Sequence, residues 1–415
     1  MAPTRPGLLQ DGRDTRTPGS VAAAVSVVPR AGAPSAAPAA LPAKPPASPP
    51  APGRYARSVA LAEQQGALLG ARALTGAASA VLRATVGLVA GQATRGSRAG
   101  RRWKAPLSAA FADLLACEAL VTVGLRACEL PQGSGAGVRA AAGYTVPIVV
   151  ADVLDELQLV MTESRLAAPD GPERRMLADL LERLDEAGAS RPDVASRQAD
   201  VVRELPALAA AFGRRWDAGG PGAPGGPAGS PGAAAPCSSV LFRLDERMPA
   251  RIIPPEPGSD DTLVSALTAA HTRFTRIAAA AAGGTGEDVT PALARVAGRL
   301  LSEQRALVRQ GRLAEGVDPA DPRMRALADR QAMVLLAAAV LGVQGAAADT
   351  GRDPFLGGPH WALLASARIT ERLGIAPDGP GTPASVEARD RVWAELADRD
   401  REGLGCDIRA TGRAR

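Results

Sequence analysis

The sequence predicts an all-α fold, in which a bundle of long antiparallel helices is followed by a second helical region. Composition is the first observation. Hydrophobic residues make up 46% of the 415 residues but aromatic residues only 3%, so alanine, leucine and valine must fill the core. Alanine and leucine favour helices. The second observation is a series of three long apolar segments joined by short breaks, which makes neighbouring helices run in opposite directions.

The three segments predict helices over residues 55–90, 111–130 and 138–165, with a turn at 100–107 (GRRWKAPL) between the first two. In the first helix, small residues recur at three- and four-residue spacing; they are Gly66, Gly70, Ala73 and Gly76. Residues at this spacing lie on one side of a helix. We therefore expect a neighbouring helix to approach closely along this side.

The third helix has an apolar stripe and an acidic side. The stripe consists of Val149, Val150, Val153, Leu154, Leu157 and Val160. Asp152 and Glu156 lie opposite it, four residues apart, with Asp155 beside them. Such a pair is more typical of a solvated helix face than of a general acid and base, and we expect the solvated face.

Further helical patterns follow at 173–187, 192–216, 260–282, 290–310, 322–348, 359–373 and 383–399. Proline at the first helical position marks several of these starts. Composition divides the chain into five parts. These are a disordered Pro/Ala-rich leader (1–53), a helical bundle (54–217), a Gly/Pro linker (218–237), a helical C-terminal extension (238–400) and a flexible basic tail (401–415).

The net charge of +5 comes mostly from arginines spread over helix faces. Nucleic-acid-binding proteins concentrate their basic charge on one face and interleave it with aromatic residues, so nucleic acid is not an expected partner. Four cysteines without CxxC spacing indicate free thiols in a reducing compartment. Residues 331–348 are uncharged but rich in alanine, and we expect a buried bundle helix there. The expected location is the cytoplasm, without membrane contact.

No self-sufficient active site is visible. His271 and His360 lie in separate helical contexts, without a cysteine or carboxylate pattern nearby, so we expect hydrogen-bonded or surface histidines and no metal site. The Gly-rich stretches 133–137 and 283–286 lack the Lys-Ser/Thr of a phosphate-binding loop and predict interhelical turns.

The densest basic cluster surrounds Trp103 in the predicted turn and consists of Arg95, Arg98, Arg101, Arg102 and Lys104. Guanidinium groups in such a cluster can bind a phosphate or pyrophosphate. The alternative is a solvated interhelical loop.

At this turn the sequence resembles the acyl-CoA dehydrogenase family, whose C-terminal helical domain joins its first two helices by an Arg-x-x-Phe-Gly-x-Pro-Ile/Leu turn. Here the corresponding residues are GRRWKAPL, followed by the helix 111–119 (FADLLACEA), which is similar to the family's Leu-Ala-Asp and Glu-Ala elements. In the second half, 241–245, 329–332 and 353–357 resemble the extended C-terminal region of actinobacterial members of this family.

The resemblance implies an acyl-CoA dehydrogenase C-terminal-like bundle and the C-terminal half of a flavin-dependent oxidoreductase acting on an acyl thioester. It implies FAD as the cofactor, with Arg101, Arg102 and Trp103 as cofactor-binding residues and no assigned catalytic base. The family's other two domains have no counterpart before Tyr55. A second subunit carrying them, or a homo-oligomer, is therefore the expected partner. The alternative is a non-catalytic helical interaction or assembly module derived from the same fold.

Overall fold

The structure is a computed structural model. It describes residues 52–93, 98–129, 135–164, 167–168, 170–184, 191–217, 241–244, 261–280, 289–312, 316–375, 381–404 and 408. The predicted leader up to residue 51, the linker 218–237, and most of the tail 401–415 lie outside these ranges.

Ten long helices make up the described part of the chain, and no strand occurs in it. They are α1 (Pro52–Ala93), α2 (Arg98–Ala127), α3 (Ala136–Ser164), α4 (Pro172–Leu184), α5 (Arg191–Asp217), α6 (Asp261–Ala280), α7 (Val289–Gly311), α8 (Pro322–Thr350), α9 (Pro359–Arg372) and α10 (Pro383–Arg401). The all-α prediction is confirmed. The antiparallel bundle of the acyl-CoA dehydrogenase type stays a prediction.

The predicted starts of the last three helices are confirmed, each with proline at the first helical position. Side chains before two of these prolines bind the exposed backbone N–H groups. The Asp321 carboxylate accepts a hydrogen bond from the Arg323 N–H at 2.7 Å, and the Thr382 hydroxyl accepts one from the Ser385 N–H at 3.3 Å.

The predicted turn at 100–107 is wrong, because α2 begins at Arg98 and continues through Pro106. Proline inside a helix removes a backbone hydrogen bond and typically costs about 3 kcal/mol. Packing offsets this cost. Trp103, Leu107 and Ala110 are buried at three- and four-residue spacing, so they extend the apolar side of α2 across the proline.

Two helices occupy the centre of the fold. α2 packs against α1, α3, α8, α9 and α10, while α8 packs against α2, α3, α5, α6, α7 and α9. The core between them consists mainly of alanine, leucine and valine, as the composition predicts. Its largest fully buried side chain, Trp361, donates its indole N–H to the Leu356 carbonyl at 2.8 Å.

Helices from both sides of the predicted linker share this core. α2, α3 and α5 precede residues 218–237 and pack against helices that follow them. Residues Ala51–Arg415 form one compact unit. The domain bounds drawn from the sequence stay a prediction.

The expected cytoplasmic location is contradicted. Four helical segments in the described residues are long and apolar enough to cross a membrane, namely Leu61–Ala90, Arg102–Ala127, Ala136–Glu163 and Pro322–Thr350. Only the last of them contains the uncharged stretch 331–348; the sequence predicts bundle helices for the first three. These segments differ in how far the protein covers them: the apolar stretch of α2 is 100% buried, against 44% for that of α1.

Substituting a glycine in α8 tests the packing of this central helix. A Cβ at Gly342 would lie 2.3 Å from Cε1 of the buried Phe242 ring. Gly342→Ala must therefore displace the ring, and we expect the free energy of unfolding to fall by about 1–3 kcal/mol. Urea denaturation measures the change.

The matched control is Gly345→Ala in the same helix. A Cβ there would lie 3.5 Å from Nη1 of Arg273, an ordinary contact. Alanine's helix propensity should stabilise this variant by up to about 1 kcal/mol. If the free energy of unfolding changed in the same direction in both variants, the described packing would be contradicted.

Candidate functional site

The predicted cofactor-binding residues lie near the beginning of α2 and do not form an open site in the described structure. Trp103 is buried. Arg102 stacks on its ring at 4.7 Å and donates from Nη2 to Oε2 of Glu163, on α3, at 2.5 Å. The side chain of Arg101 lies outside the described residues. A phosphate reaching Arg102 would therefore compete with Glu163, the carboxylate to which the sequence analysis gave no role.

Lys104 is the other cation of the predicted basic cluster whose side chain the structure describes. Lys104 lies 3.8 Å from Asp390 and 5.9 Å from the ring of Trp393, both on α10. Arg95 and the side chain of Arg98 lie outside the described residues. The described cations of this cluster thus each have a partner within the protein.

The strongest concentration of charge lies instead around Asp113, in the middle of α2. Its side chain is 1% exposed, and two arginines of α9 bind it. Arg372 is bidentate, donating from Nη1 to Oδ1 at 3.0 Å and from Nη2 to Oδ2 at 2.8 Å. Arg368 donates from Nε and Nη2 to Oδ2 at 3.1 and 3.0 Å. The buried carboxylate thus accepts four charge-assisted hydrogen bonds.

The same arginines bind the acidic side of α3. Arg368 donates to Glu156, and Arg372 donates from Nε to Oδ2 of Asp152 at 3.3 Å. The predicted solvated face is therefore only partly correct: these carboxylates are partly exposed but paired. The stripe on the other side of α3 is buried as predicted. We call Asp113, Asp152, Glu156, Arg368 and Arg372 the charge cluster.

The electrostatics of the charge cluster keep both arginines ionised. Burial lowers the pKa of the Arg368 guanidinium, but the charges and hydrogen bonds of Asp113 and Glu156 outweigh burial, so its pKa is raised. The pKa of Arg372 is raised in the same way by Asp113 and Asp152. A group that keeps its proton at every ordinary pH cannot act as a general acid or base. The contacts that the two arginines do make, with carboxylates of α2 and α3, join α9 to both helices.

Sequence reasoning missed Arg368 and Arg372 entirely. One signal was present, because Asp152 and Glu156 repeat at four-residue spacing and so do the two arginines. Matched spacing of opposite charges on two helices lets the helices bind side by side. More than 200 residues separate them along the chain, so nothing local pairs them.

A second polar contact joins α3, α5 and α8. The Tyr144 hydroxyl donates to Oδ1 of Asp329 at 2.5 Å, and Gln198 donates from Nε2 to the same oxygen at 2.5 Å. Gln198 also reaches the Arg325 carbonyl at 3.4 Å. These three side chains link helices from both sides of the linker.

The two histidines make separate contacts, whereas Cys117 lies one turn after Asp113 on α2 and interacts electrostatically with Asp113 and Arg372. His271 Nδ1 is 3.3 Å from the Ala294 carbonyl, and His360 Nε2 is 3.4 Å from Glu387. Cys117 is buried and Cys128 half-buried, and both thiols are free. Within the described residues, no group of three histidine, cysteine or acidic side chains is arranged to hold a metal ion.

The comparisons with known proteins identify no relative. No protein-family model matches the chain, and no curated protein or solved structure matches it either. The resemblance to the acyl-CoA dehydrogenases therefore depends on the quoted motifs alone.

Removing one arginine tests the charge cluster. Arg372→Met leaves the buried Asp113 with Arg368 only, and breaking a buried ion pair typically costs about 3–5 kcal/mol. We expect Arg372→Met to lower the free energy of unfolding by about 3 kcal/mol, measured by urea denaturation.

The matched control is Arg401→Met, which breaks an exposed ion pair with Asp398. Exposed pairs contribute at most about 1 kcal/mol. Equal losses in the two variants would mean that Asp113 does not depend on its arginines.

Proposed function

We propose that this protein is a helical assembly module that binds a second copy of itself through one face of α1. The observation that carries the proposal is the composition of that face. From Gly66 to Gly87 every exposed residue is uncharged. These residues are Gly66, Leu69, Gly70, Ala73, Gly76, Ala80 and Gly87, and we call them the α1 face.

The α1 face is continuous along the helix. Leu69 and Gly70 are neighbours, and the other members follow at steps of three or four residues, with one step of seven before Gly87. At about 100° per residue these positions all fall on one side of α1. At 1.5 Å per residue the face is about 32 Å long. A Cβ added at any of its four glycines would meet nothing within 4 Å. The small residues that the sequence predicts to admit a neighbouring helix therefore have no described helix against them.

A helix is a better partner for this face than lipid or water. Small residues let two helix backbones approach closely, and glycines four residues apart, as at Gly66 and Gly70, are typical of helix–helix contacts in membranes. Lipid-facing surfaces gain most from large aliphatic side chains, and Leu69, which is 59% exposed, is the only one on the face.

A second copy is the partner that this face fits best. It offers no charge by which a different, charged partner would be selected. In a two-fold symmetric pair both subunits present the same patch. Leu69 of each copy then meets a surface of glycine and alanine, which leaves room for its side chain.

Filling the α1 face tests the proposal. We expect Gly70→Leu to weaken self-association by at least about tenfold, because the new side chain separates the two helices. It should not destabilise the single chain, since nothing lies within 4 Å of the added Cβ and leucine favours the helix more than glycine. Analytical ultracentrifugation over a concentration series measures association, and thermal unfolding measures stability.

The control is Ala269→Leu, which adds the same side chain at an exposed position of α6. It should leave association unchanged. Two results would contradict the proposal: a wild-type chain that is monomeric at all concentrations, in buffer and in mild detergent, or an association that Gly70→Leu does not weaken.

A second proposal follows from the family resemblance. If a subunit carrying the missing domains completes a flavin site, the purified pair should show the visible absorption of oxidised FAD. Substituting Arg102→Gln should then lower flavin occupancy, measured as the ratio of visible to ultraviolet absorption. Lys104→Gln is the control at a neighbouring cation of α2. A colourless preparation of the chain with its partner subunit would overturn this second proposal and leave the assembly proposal untouched.

A further inference from the structure

A groove on the outer side of α7 has the composition of a site for an amphipathic anion. Its volume is about 540 Å³, and it is broadly open to solvent. It is lined by Arg295, Gly298, Arg299, Ser302, Glu303 and Ile375. We propose that it binds a phosphate group attached to a short apolar chain.

The cationic side of the groove is set by helix geometry. Arg295, Arg299 and Ser302 are spaced four and three residues apart, so their side chains lie on one face of α7. Each guanidinium has five N–H donors, so a bound phosphate adds to the contacts that each already makes within the protein. Two adjacent guanidiniums can donate several charge-assisted hydrogen bonds to the oxygens of one phosphate.

The acidic residue of the groove is neutralised. Glu303 accepts a hydrogen bond from Nε of Arg330 at 2.6 Å, and Nη1 of the same arginine donates to the Leu373 carbonyl at 2.9 Å. This contact fixes Glu303 against α8, so the lining carries a net positive charge. Glu303 is the one carboxylate among the lining residues, and because Arg330 neutralises it, it repels a bound anion little.

The remaining lining explains why the anion should carry an apolar part. Ile375, directly after α9, gives an aliphatic wall beside the charges. Gly298 has no side chain, and the His271 ring packs against it, 3.1 Å from the position of an added Cβ. Inorganic phosphate would leave the contact with Ile375 unused.

The test is calorimetric titration of the full chain with octyl phosphate and with inorganic phosphate. We expect one octyl phosphate per chain and an affinity at least about tenfold higher than that of inorganic phosphate, since burying apolar surface adds to binding. Arg299→Gln should lower the affinity for octyl phosphate by about tenfold. Because Arg295 is exposed, Arg295→Gln provides a second variant if Arg299→Gln does not fold.

Arg309→Gln, an exposed position of α7 outside the groove, is the control and should bind as the wild type does. Absence of octyl phosphate binding at about 1 mM, or equal binding by wild type and both groove variants, would overturn the proposal. Competition by phosphatidylglycerol vesicles identifies the source of the phosphate. Displacement of octyl phosphate by vesicles from the wild type indicates a lipid headgroup, and binding without displacement indicates a soluble phosphate ester.

Discussion

The burial of Asp113 is the constraint on which the rest of the structure depends. An ionised carboxylate inside a core is expensive unless charged partners replace its water. α2 carries Asp113 at its centre, and in the described part of the chain the cations that bind it come from α9. The position of α9 is thereby fixed against α2, and the carboxylates of α3 bind the same two arginines from the other side.

Other specific contacts surround the charge cluster and place the remaining helices. Arg399 of α10 lies over the rings of Phe111 and Phe355, at 5.6 and 5.7 Å, and those rings stack at 6.2 Å. Phe111 is two residues from Asp113, so α9 and α10 are anchored next to each other on α2. The core itself is mostly alanine, leucine and valine, which pack acceptably in many arrangements. We infer that the polar contacts select one arrangement among them.

Local signals account for what could be predicted from the sequence. Proline starts and apolar periodicity gave the later helices to within a few residues, as at Pro322 and Pro383. The same rules failed at Pro106, where burial of Trp103 and Leu107 outweighs the local preference for a turn. The four-residue spacing of the α3 carboxylates and of the α9 arginines is visible in the sequence, but their pairing is not, because more than 200 residues separate them. The small residues of α1 predicted a closely packed neighbouring helix, but within the described residues that side of α1 is exposed and no helix packs against it.

The four apolar helices differ in whether charged contacts tie them to the rest of the protein. Carboxylates of α2 and α3 form ion pairs with arginines of α9. α9 has 14 residues and is therefore about 21 Å long. It is too short to cross a hydrocarbon layer of about 30 Å. If it moved away from Asp113, the buried carboxylate would lose its charged partners. Whatever surrounds the protein, α2, α3 and α9 must stay together. No described ion pair holds the α1 face against another helix of the chain, so α1 is the apolar helix that is free to bind a second copy.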